Sequence, residues 1–66
     1  LSSVGLTEED RQLLQMLAEG SGNQQIAEQL FMSDRTVKRK LQDLMDKMGV
    51  TTRAQAVAEG FKRGIL

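Results

Sequence analysis

The chain has 66 residues, a formal net charge of zero, and neither cysteine nor histidine. A chain of this length forms one small domain, which we predict over residues 1–66, and it leaves no room for an enzyme-sized cleft. The missing residue types exclude a disulfide framework, a Ser-His-Asp triad, a Cys-His pair and a zinc site. We therefore expect a protein that is not an enzyme and that holds neither a metal nor a cofactor.

Nothing in the sequence predicts membrane insertion or export. The longest apolar runs are two or three residues, far below the ~20 that cross a bilayer, and no signal-peptide pattern is present. We therefore expect a cytoplasmic protein with no membrane partner. Because the chain begins at Leu1 and not at methionine, we also expect it to be a fragment of a longer protein.

The neutral total hides a strong asymmetry of charge along the chain. Residues 1–30 contain one cation and five anions, whereas residues 31–66 contain eight cations and four anions. Four of those eight cations lie within residues 35–40. Attraction to phosphate decays over roughly 10 Å at physiological salt, so a local cluster matters more than the total.

A first helix is predicted to begin after Thr7, which is a favourable N-cap residue. Glu8, Glu9 and Asp10 follow in the first turn, where the positive end of the helix dipole favours anions. We do not interpret them as a catalytic or metal-binding cluster, because adjacent helical residues do not converge on one point. Leu13, Leu14 and Leu17 give the buried face, and the Gly-Ser-Gly stretch at residues 20–22 ends the helix.

Residues 23–50 are predicted to form two short helices joined by a tight turn, the form of a helix-turn-helix. The first of these helices carries Ile26, Ala27 and Leu30 on its apolar side, and Phe31 and Met32 close the turn. Ser33 is a strong N-cap candidate for the next helix, which we predict over residues 34–48. The apolar residues of that helix form one stripe, Val37, Leu41, Leu44 and Met48.

The side of the third helix opposite this stripe is cationic. At about 100° per residue, Arg35, Arg39 and Gln42 point away from the stripe and Lys38 lies on its flank. Arginine and lysine can donate to guanine, and glutamine can pair with adenine, in the major groove of DNA. The alternative is a solvated helix face in which Arg39 pairs with Asp43 one turn on. The residues alone leave both interpretations open.

A fourth helix is predicted after a glycine cap at Gly49. Thr52 with Gln55 three residues later is a capping-box pattern for its start. Its apolar stripe is predicted as Ala54, Val57, Ala58, Phe61 and Ile65. No alternating β-branched segment predicts a strand. The predicted fold class is therefore all-α, a compact four-helix domain that contains a helix-turn-helix.

Four segments of the chain carry a resemblance to a known family. They are LTEEDRQLLQMLAEG, NQQIAEQLFMSDRTVK, LQDLMDKMGV and TRAQAV, which begin at residues 6, 23, 41 and 52. Together they resemble the LuxR/FixJ/NarL-type (GerE-like) DNA-binding domain, which lies at the C-terminus of many bacterial response regulators and quorum-sensing regulators. The resemblance implies sequence-specific binding of double-stranded DNA for transcription regulation, with the third helix, about residues 34–48, in the major groove. It also implies a homodimer through the fourth helix, and RNA polymerase is a further expected partner.

The resemblance also assigns roles to individual positions. Lys38, Arg39 and Gln42 correspond to the base-reading positions of the family, and Thr36 and Lys40 correspond to positions near the phosphate backbone. We expect further backbone contacts from Arg35, Asn23 and Arg53, and a dimer contact from Ala54, Val57, Ala58 and Phe61. Because Asp43 and Asp46 disfavour phosphate near the end of the third helix, we expect its N-terminal half to enter the groove.

Four positions depart from the family pattern. Gln24 and Gln25 stand where the family usually has Lys-Glu, which removes one cation that would contact phosphate. Glu9 stands where arginine is frequent, which predicts that an intramolecular ion pair of the scaffold is rewired. Lys40 replaces a common histidine and adds positive charge near the groove.

Two other functions stay open beside DNA reading. The chain could be a protein-interaction or dimerisation module that keeps the fold with little DNA binding, which Gln24, Gln25 and the zero net charge favour. A sigma-factor-like promoter module shares the helix-turn-helix but does not predict the match through the fourth helix. Single-strand binding is disfavoured, because Phe31 and Phe61 are both predicted on apolar faces and leave no ring for stacking on bases.

Overall fold

The computed structural model describes residues 5–66, and four helices make up its regular structure. They are α1 (Glu8–Ala18), α2 (Asn23–Leu30), α3 (Asp34–Met48) and α4 (Arg53–Lys62). The part of the chain that is described contains no strand, so the predicted all-α fold with four helices is confirmed. None of these helices has the length and apolarity that a membrane span requires. Residues 1–4 of the predicted domain lie outside the described residues.

The predicted start of α1 and both predicted ends of α3 are confirmed by the structure. The Oγ1 atom of Thr7 accepts from the backbone N–H of Asp10 at 3.1 Å, and Asp10 Oδ2 accepts from the N–H of Thr7 at 3.0 Å. Ser33 Oγ accepts from the N–H of Thr36 at 3.2 Å and so caps α3. Gly49 ends α3 in the left-handed region, with a φ of 71°. Both starts thus satisfy amides that helices leave without partners.

The starts of α2 and α4 differ from the expected pattern. Gln25 Oε1 accepts from the N–H of Gly22 at 3.1 Å, a capping role that the sequence analysis missed. Thr52 Oγ1 accepts from the N–H of Gln55 at 3.1 Å, as predicted. The side chain of Gln55, however, accepts from Thr51 at 2.9 Å, so the predicted reciprocal box with Thr52 is only half formed.

One apolar core joins the helices. Its buried residues are Leu13, Leu14, Met16, Leu17, Ile26, Ala27, Val37, Leu41, Leu44, Met48 and Ala56. The predicted stripe of α3 and the predicted buried leucines of α1 are all among them. α3 packs against α1, α2 and α4, so its apolar side is covered and only its opposite side faces outward.

The predicted stripe of α4 is out of phase with the observed one. Ala56 and Gly60 face the core, whereas Ala54, Ala58 and Phe61 are exposed and Val57 and Ile65 are partly buried. A Cβ atom on Gly60 would lie 2.9 Å from Leu14 Cδ2, so α4 lies close against α1 at this point. Periodicity arguments follow large apolar residues, and they fail here because small residues make the contact.

The expected positions of both phenylalanine rings are wrong. Phe31 is 96% exposed and Phe61 is 64% exposed. Phe31 is the one described residue other than glycine with a positive φ, 56°, and this turn places Met32, which is partly buried, toward the core. Both rings are therefore accessible, and their positions no longer disfavour single-strand binding.

Candidate nucleic-acid interface

The outward side of α3 presents cations that have no partner elsewhere in residues 5–66. Arg35, Lys38, Arg39 and Gln42 are exposed, and the first three take part in none of the ion pairs of that part of the chain. The pair between Arg39 and Asp43 that a solvated face would allow is not formed. The buried stripe fixes the direction of this face, because residues on the other side of the helix must point to solvent.

Two polar side chains on the same helix keep hydrogen-bonding capacity. Gln42 Nε2 donates to Asp46 Oδ1 at 3.1 Å, which leaves the carboxamide oxygen and one N–H. Ser33 Oγ donates to Thr36 Oγ1 at 3.0 Å, so the hydroxyl hydrogen of Thr36 is not used in that bond. These groups can therefore still pair with a base edge or a phosphate oxygen.

One flank of α3 is occupied by ion pairs with the first turn of α1. Lys40 Nζ lies 2.7 Å from Glu9 Oε1, and Lys47 Nζ lies 2.6 Å from Asp10 Oδ2. The two lysines are seven residues apart and so lie on one side of the helix. Lys40, a predicted backbone contact, thus has an intramolecular partner in this structure.

Asp10 is the more deeply buried member of these pairs, with 7% of its surface exposed. Burial by itself would raise the pKa of Asp10, but hydrogen bonds from Lys47 and from Thr7 hold that pKa below its ordinary value of 3.8. The carboxylate is therefore ionised at neutral pH. It both caps α1 and ties α1 to α3.

A second polar cluster joins the starts of α2 and α4. The guanidinium group of Arg53 donates to Asn23 Oδ1, which brings together two of the predicted backbone contacts. The first turns of α2 and α4 contain no acidic residue. Helix N-termini carry partial positive charge, so this cluster has the same sign as the outward face of α3.

The residues predicted for a dimer contact share the outer side of α4. Ala54, Ala58 and Phe61 are exposed and Val57 is partly buried. The observed phase of the helix, with Ala56 and Gly60 inward, leaves Ala54, Ala58 and Phe61 open to solvent, whereas Val57 packs partly against the core. The assignment to a dimer contact stays a prediction, as do the assignments to bases and phosphates.

Residues 4–59 match the family model of the bacterial regulatory proteins of the luxR family. The chain belongs to this family. It is 39% identical over 59 residues to the transcriptional regulatory protein DegU of Brevibacillus brevis and 36% identical over 61 residues to the spore germination protein GerE of Bacillus subtilis. These matches cover 89% and 92% of the chain, respectively. The predicted family is thereby confirmed.

A solved structure agrees with the fold as well. The crystal structure of the response regulator ChrA of a heme-sensing two-component system superposes with a TM-score of 0.89 at 32% identity over 94% of this chain. The chain spans 25% of DegU and 31% of the ChrA chain, but 82% of GerE. The luxR family is one of transcription regulators and not a class of enzymes, and DNA binding for transcription regulation is the function that membership supports.

Proposed function

We propose that this domain binds double-stranded DNA sequence-specifically, with the N-terminal half of α3 in the major groove. One observation carries the proposal: Arg35 and Arg39 are exposed opposite a fully packed stripe, Lys38 is exposed on its flank, and none of the three forms an ion pair within residues 5–66. Cations that are buried or already paired would have few free hydrogen-bond donors for a ligand. These three retain their donors for an anionic, acceptor-rich partner.

Base reading is assigned to Lys38, Arg39 and Gln42. The guanidinium group of Arg39 can donate two parallel hydrogen bonds to guanine O6 and N7, and the ammonium group of Lys38 can donate to the same atoms. The carboxamide of Gln42 can pair with adenine N6 and N7 once its bond to Asp46 opens or shares its second N–H. These contacts would give the domain its sequence preference.

Backbone contacts are assigned to both cationic areas. On α3 they come from Arg35, Thr36 and Lys40, and at the starts of α2 and α4 they come from Asn23 and Arg53. Phosphate contacts fix the orientation of a protein on the duplex without reading sequence. Two separated clusters can engage phosphates at two places and so hold α3 at one angle in the groove.

The N-terminal half of α3 is the part proposed to enter the groove. Asp43 and Asp46 are exposed on the C-terminal half, where carboxylates close to phosphates would repel them. The free cations Arg35, Lys38 and Arg39 all precede these residues. Charge alone therefore selects which end of α3 faces the DNA.

The remaining expectations extend this proposal to the assembly. Two copies would pair through the outer side of α4, with Ala54, Val57, Ala58 and Phe61 in the contact. RNA polymerase would be a further partner in the bacterial cytoplasm, where the domain would act without catalysis. The chain spans 25% of DegU and 31% of the ChrA chain, which supports the proposal that residues 1–66 are one domain of a larger regulator. From the family resemblance we place this domain at its C-terminus.

Base reading is tested by comparing affinities for a preferred DNA site and for random DNA. The preferred site is first obtained from a random duplex pool, and affinities are then measured for that site and for random duplex. Arg39→Ala and Gln42→Ala should each cost about 1–3 kcal/mol on the preferred site and less on random DNA. Arg11→Ala and Gln12→Ala are matched controls, because both residues are exposed on α1. Equal losses on both DNAs would assign Arg39 and Gln42 to the backbone.

A protein-interaction module is the alternative function, and the two exposed rings favour it. Phe31 and Phe61 are the exposed large apolar residues of the described chain, and aromatic residues are enriched at protein interfaces. This alternative predicts that no duplex is selected from the pool at low salt. Recovery of a reproducible site would reject it as the main function.

A further inference from the structure

We infer that Glu9 competes with DNA for Lys40 and thereby lowers the affinity of the domain for phosphate backbones. The inference rests on the proposed function and adds a residue outside the interface that tunes it. The Nζ atom of Lys40 lies 2.7 Å from Glu9 Oε1, a contact that joins α1 to the N-terminal half of α3 across 31 positions of sequence. A carboxylate at this distance satisfies the ammonium group much as a phosphate oxygen would.

The two ion pairs between α1 and α3 differ in what else their carboxylates do. Asp10 is buried and also accepts from the N–H of Thr7, so its pair with Lys47 belongs to the scaffold. Glu9 makes no other hydrogen bond within residues 5–66, and its side chain is 43% exposed. A partly exposed pair of this kind adds little to stability. The Glu9 pair can therefore be exchanged without disturbing the fold.

Lys40 is positioned to reach phosphate when Glu9 releases it. It follows Arg39 directly and lies on one flank of α3, whereas Lys38 lies on the other flank, roughly 160° away around the helix. A helix in the major groove has a phosphate backbone on each side. The side chain of Lys40 is only 35% exposed in its pair, and its flexible four-carbon stem allows it to turn from Glu9 toward the nearer backbone.

The exchange has a defined signature in salt dependence. A lysine that binds phosphate releases counterions from DNA, which contributes a slope of about −0.9 to log K against log salt. In the native protein, binding of Lys40 to phosphate also breaks its ion pair with Glu9. The freed carboxylate then attracts cations from solution, which offsets part of the counterion release from DNA. The contribution of Lys40 should consequently be small in the native protein and full when Glu9 is neutral.

The experiment compares Glu9→Gln with Glu8→Gln. Both variants raise the net charge by one and remove an acid from the first turn of α1, but Glu8 is exposed and pairs with no cation in the described residues. Random duplex is titrated between 50 and 200 mM salt. We expect Glu9→Gln to bind several-fold more tightly at 50 mM, and its advantage over Glu8→Gln to shrink about 3.5-fold by 200 mM, which is a slope difference of about 0.9.

A double variant ties the effect to Lys40. In Glu9→Gln/Lys40→Gln the extra affinity and the extra slope should both disappear. Helix content is measured by circular dichroism to check the fold. If Glu9→Gln lowers the helix content, Glu9→Ala serves as a second variant. Equal slopes for Glu9→Gln and Glu8→Gln would overturn the inference, for instance because Lys40 turns to Asp43 instead, and so would a gain that survives loss of Lys40. If the native domain binds no duplex at all, the proposed function fails as well.

Discussion

At the residue scale, Phe31 is the position where local preference and fold disagree. Its φ of 56° lies in a region that favours glycine, and its ring is 96% exposed. The backbone of the turn is set by how α2 crosses α3, which a single sequence does not reveal. The sequence predicts that Phe31 lies in the turn. The hydrophobicity of the ring predicts an apolar face for it, and the geometry of the turn overrides that prediction.

Substitution of Phe31 by glycine should therefore raise stability. Phe31→Gly is expected to increase the free energy of unfolding by about 1 kcal/mol, because it removes left-handed strain from a residue whose side chain packs against little. Phe31→Ala removes the ring but keeps Cβ, so it should change stability much less. Urea unfolding followed by circular dichroism measures both. A loss of stability in the glycine variant would mean that the ring makes a contact that supports the fold.

The Asp10 carboxylate gives a prediction about pH. Because its pKa in the folded protein is below the ordinary value of 3.8, its contribution to stability is complete above the unfolded-state pKa. That contribution is lost as pH falls through the folded-state pKa. Asp10→Asn should cost about 1–3 kcal/mol near neutral pH, and the cost should shrink below about pH 4.

Unfolding by urea at several pH values measures this dependence. Asp43→Asn is the matched control, since Asp43 is exposed and in no ion pair within the described residues. The control should follow the native pH profile. A cost for Asp10→Asn that stays constant from neutral to acidic pH would show that its charge does not contribute.

At the element scale, the buried side of α3 could be predicted from the sequence, whereas that of α4 could not. The sequence predicts three features of α3, namely its bounds 34–48, its cap at Ser33 and its buried stripe. It does so because large apolar residues at helical spacing and a serine cap indicate the same helix. For α4 the buried residues are Ala56 and Gly60, which carry almost no hydrophobic signal. Which side of α4 lies inward depends on close packing against Leu14, and that is a tertiary property.

The same correction sharpens the proposed role of α4. With Ala54, Ala58 and Phe61 outward, Ala58→Glu should leave the fold intact and prevent a second copy from approaching. We expect this domain to sediment as mostly monomer at micromolar concentration, because an interface this small is weak. Two copies should nevertheless bind cooperatively to the preferred DNA site.

Stoichiometry on DNA checks this prediction. Ala58→Glu should reduce cooperativity while preserving affinity for a duplex that binds a single copy. Ala18→Glu, the same substitution at an exposed position of α1, should have no such effect. Unchanged cooperativity in Ala58→Glu would remove α4 from the dimer contact.

At the scale of the whole molecule, a chain with zero net charge presents a cationic face on α3. The first 30 residues carry a net charge of −4 and the rest carry +4. The fold uses two acids of α1 to neutralise one flank of α3, through Glu9 and Asp10. Its outward face keeps Arg35, Lys38 and Arg39 without such partners. The sequence predicts the cationic patch. It does not predict which lysines are already paired, because that depends on how α1 packs against α3.

The salt dependence of duplex binding tests the central claim most directly. Fluorescence anisotropy of a labelled duplex is followed from 50 to 200 mM salt, with the matching single strand as a control for stacking on the exposed rings. If two or three cations of one copy meet phosphates, log K should fall linearly with log salt with a slope of about −2 to −3, and the duplex should bind more tightly than the single strand. A flat response, or no binding of any duplex at 50 mM, would contradict the account and favour the protein-interaction module.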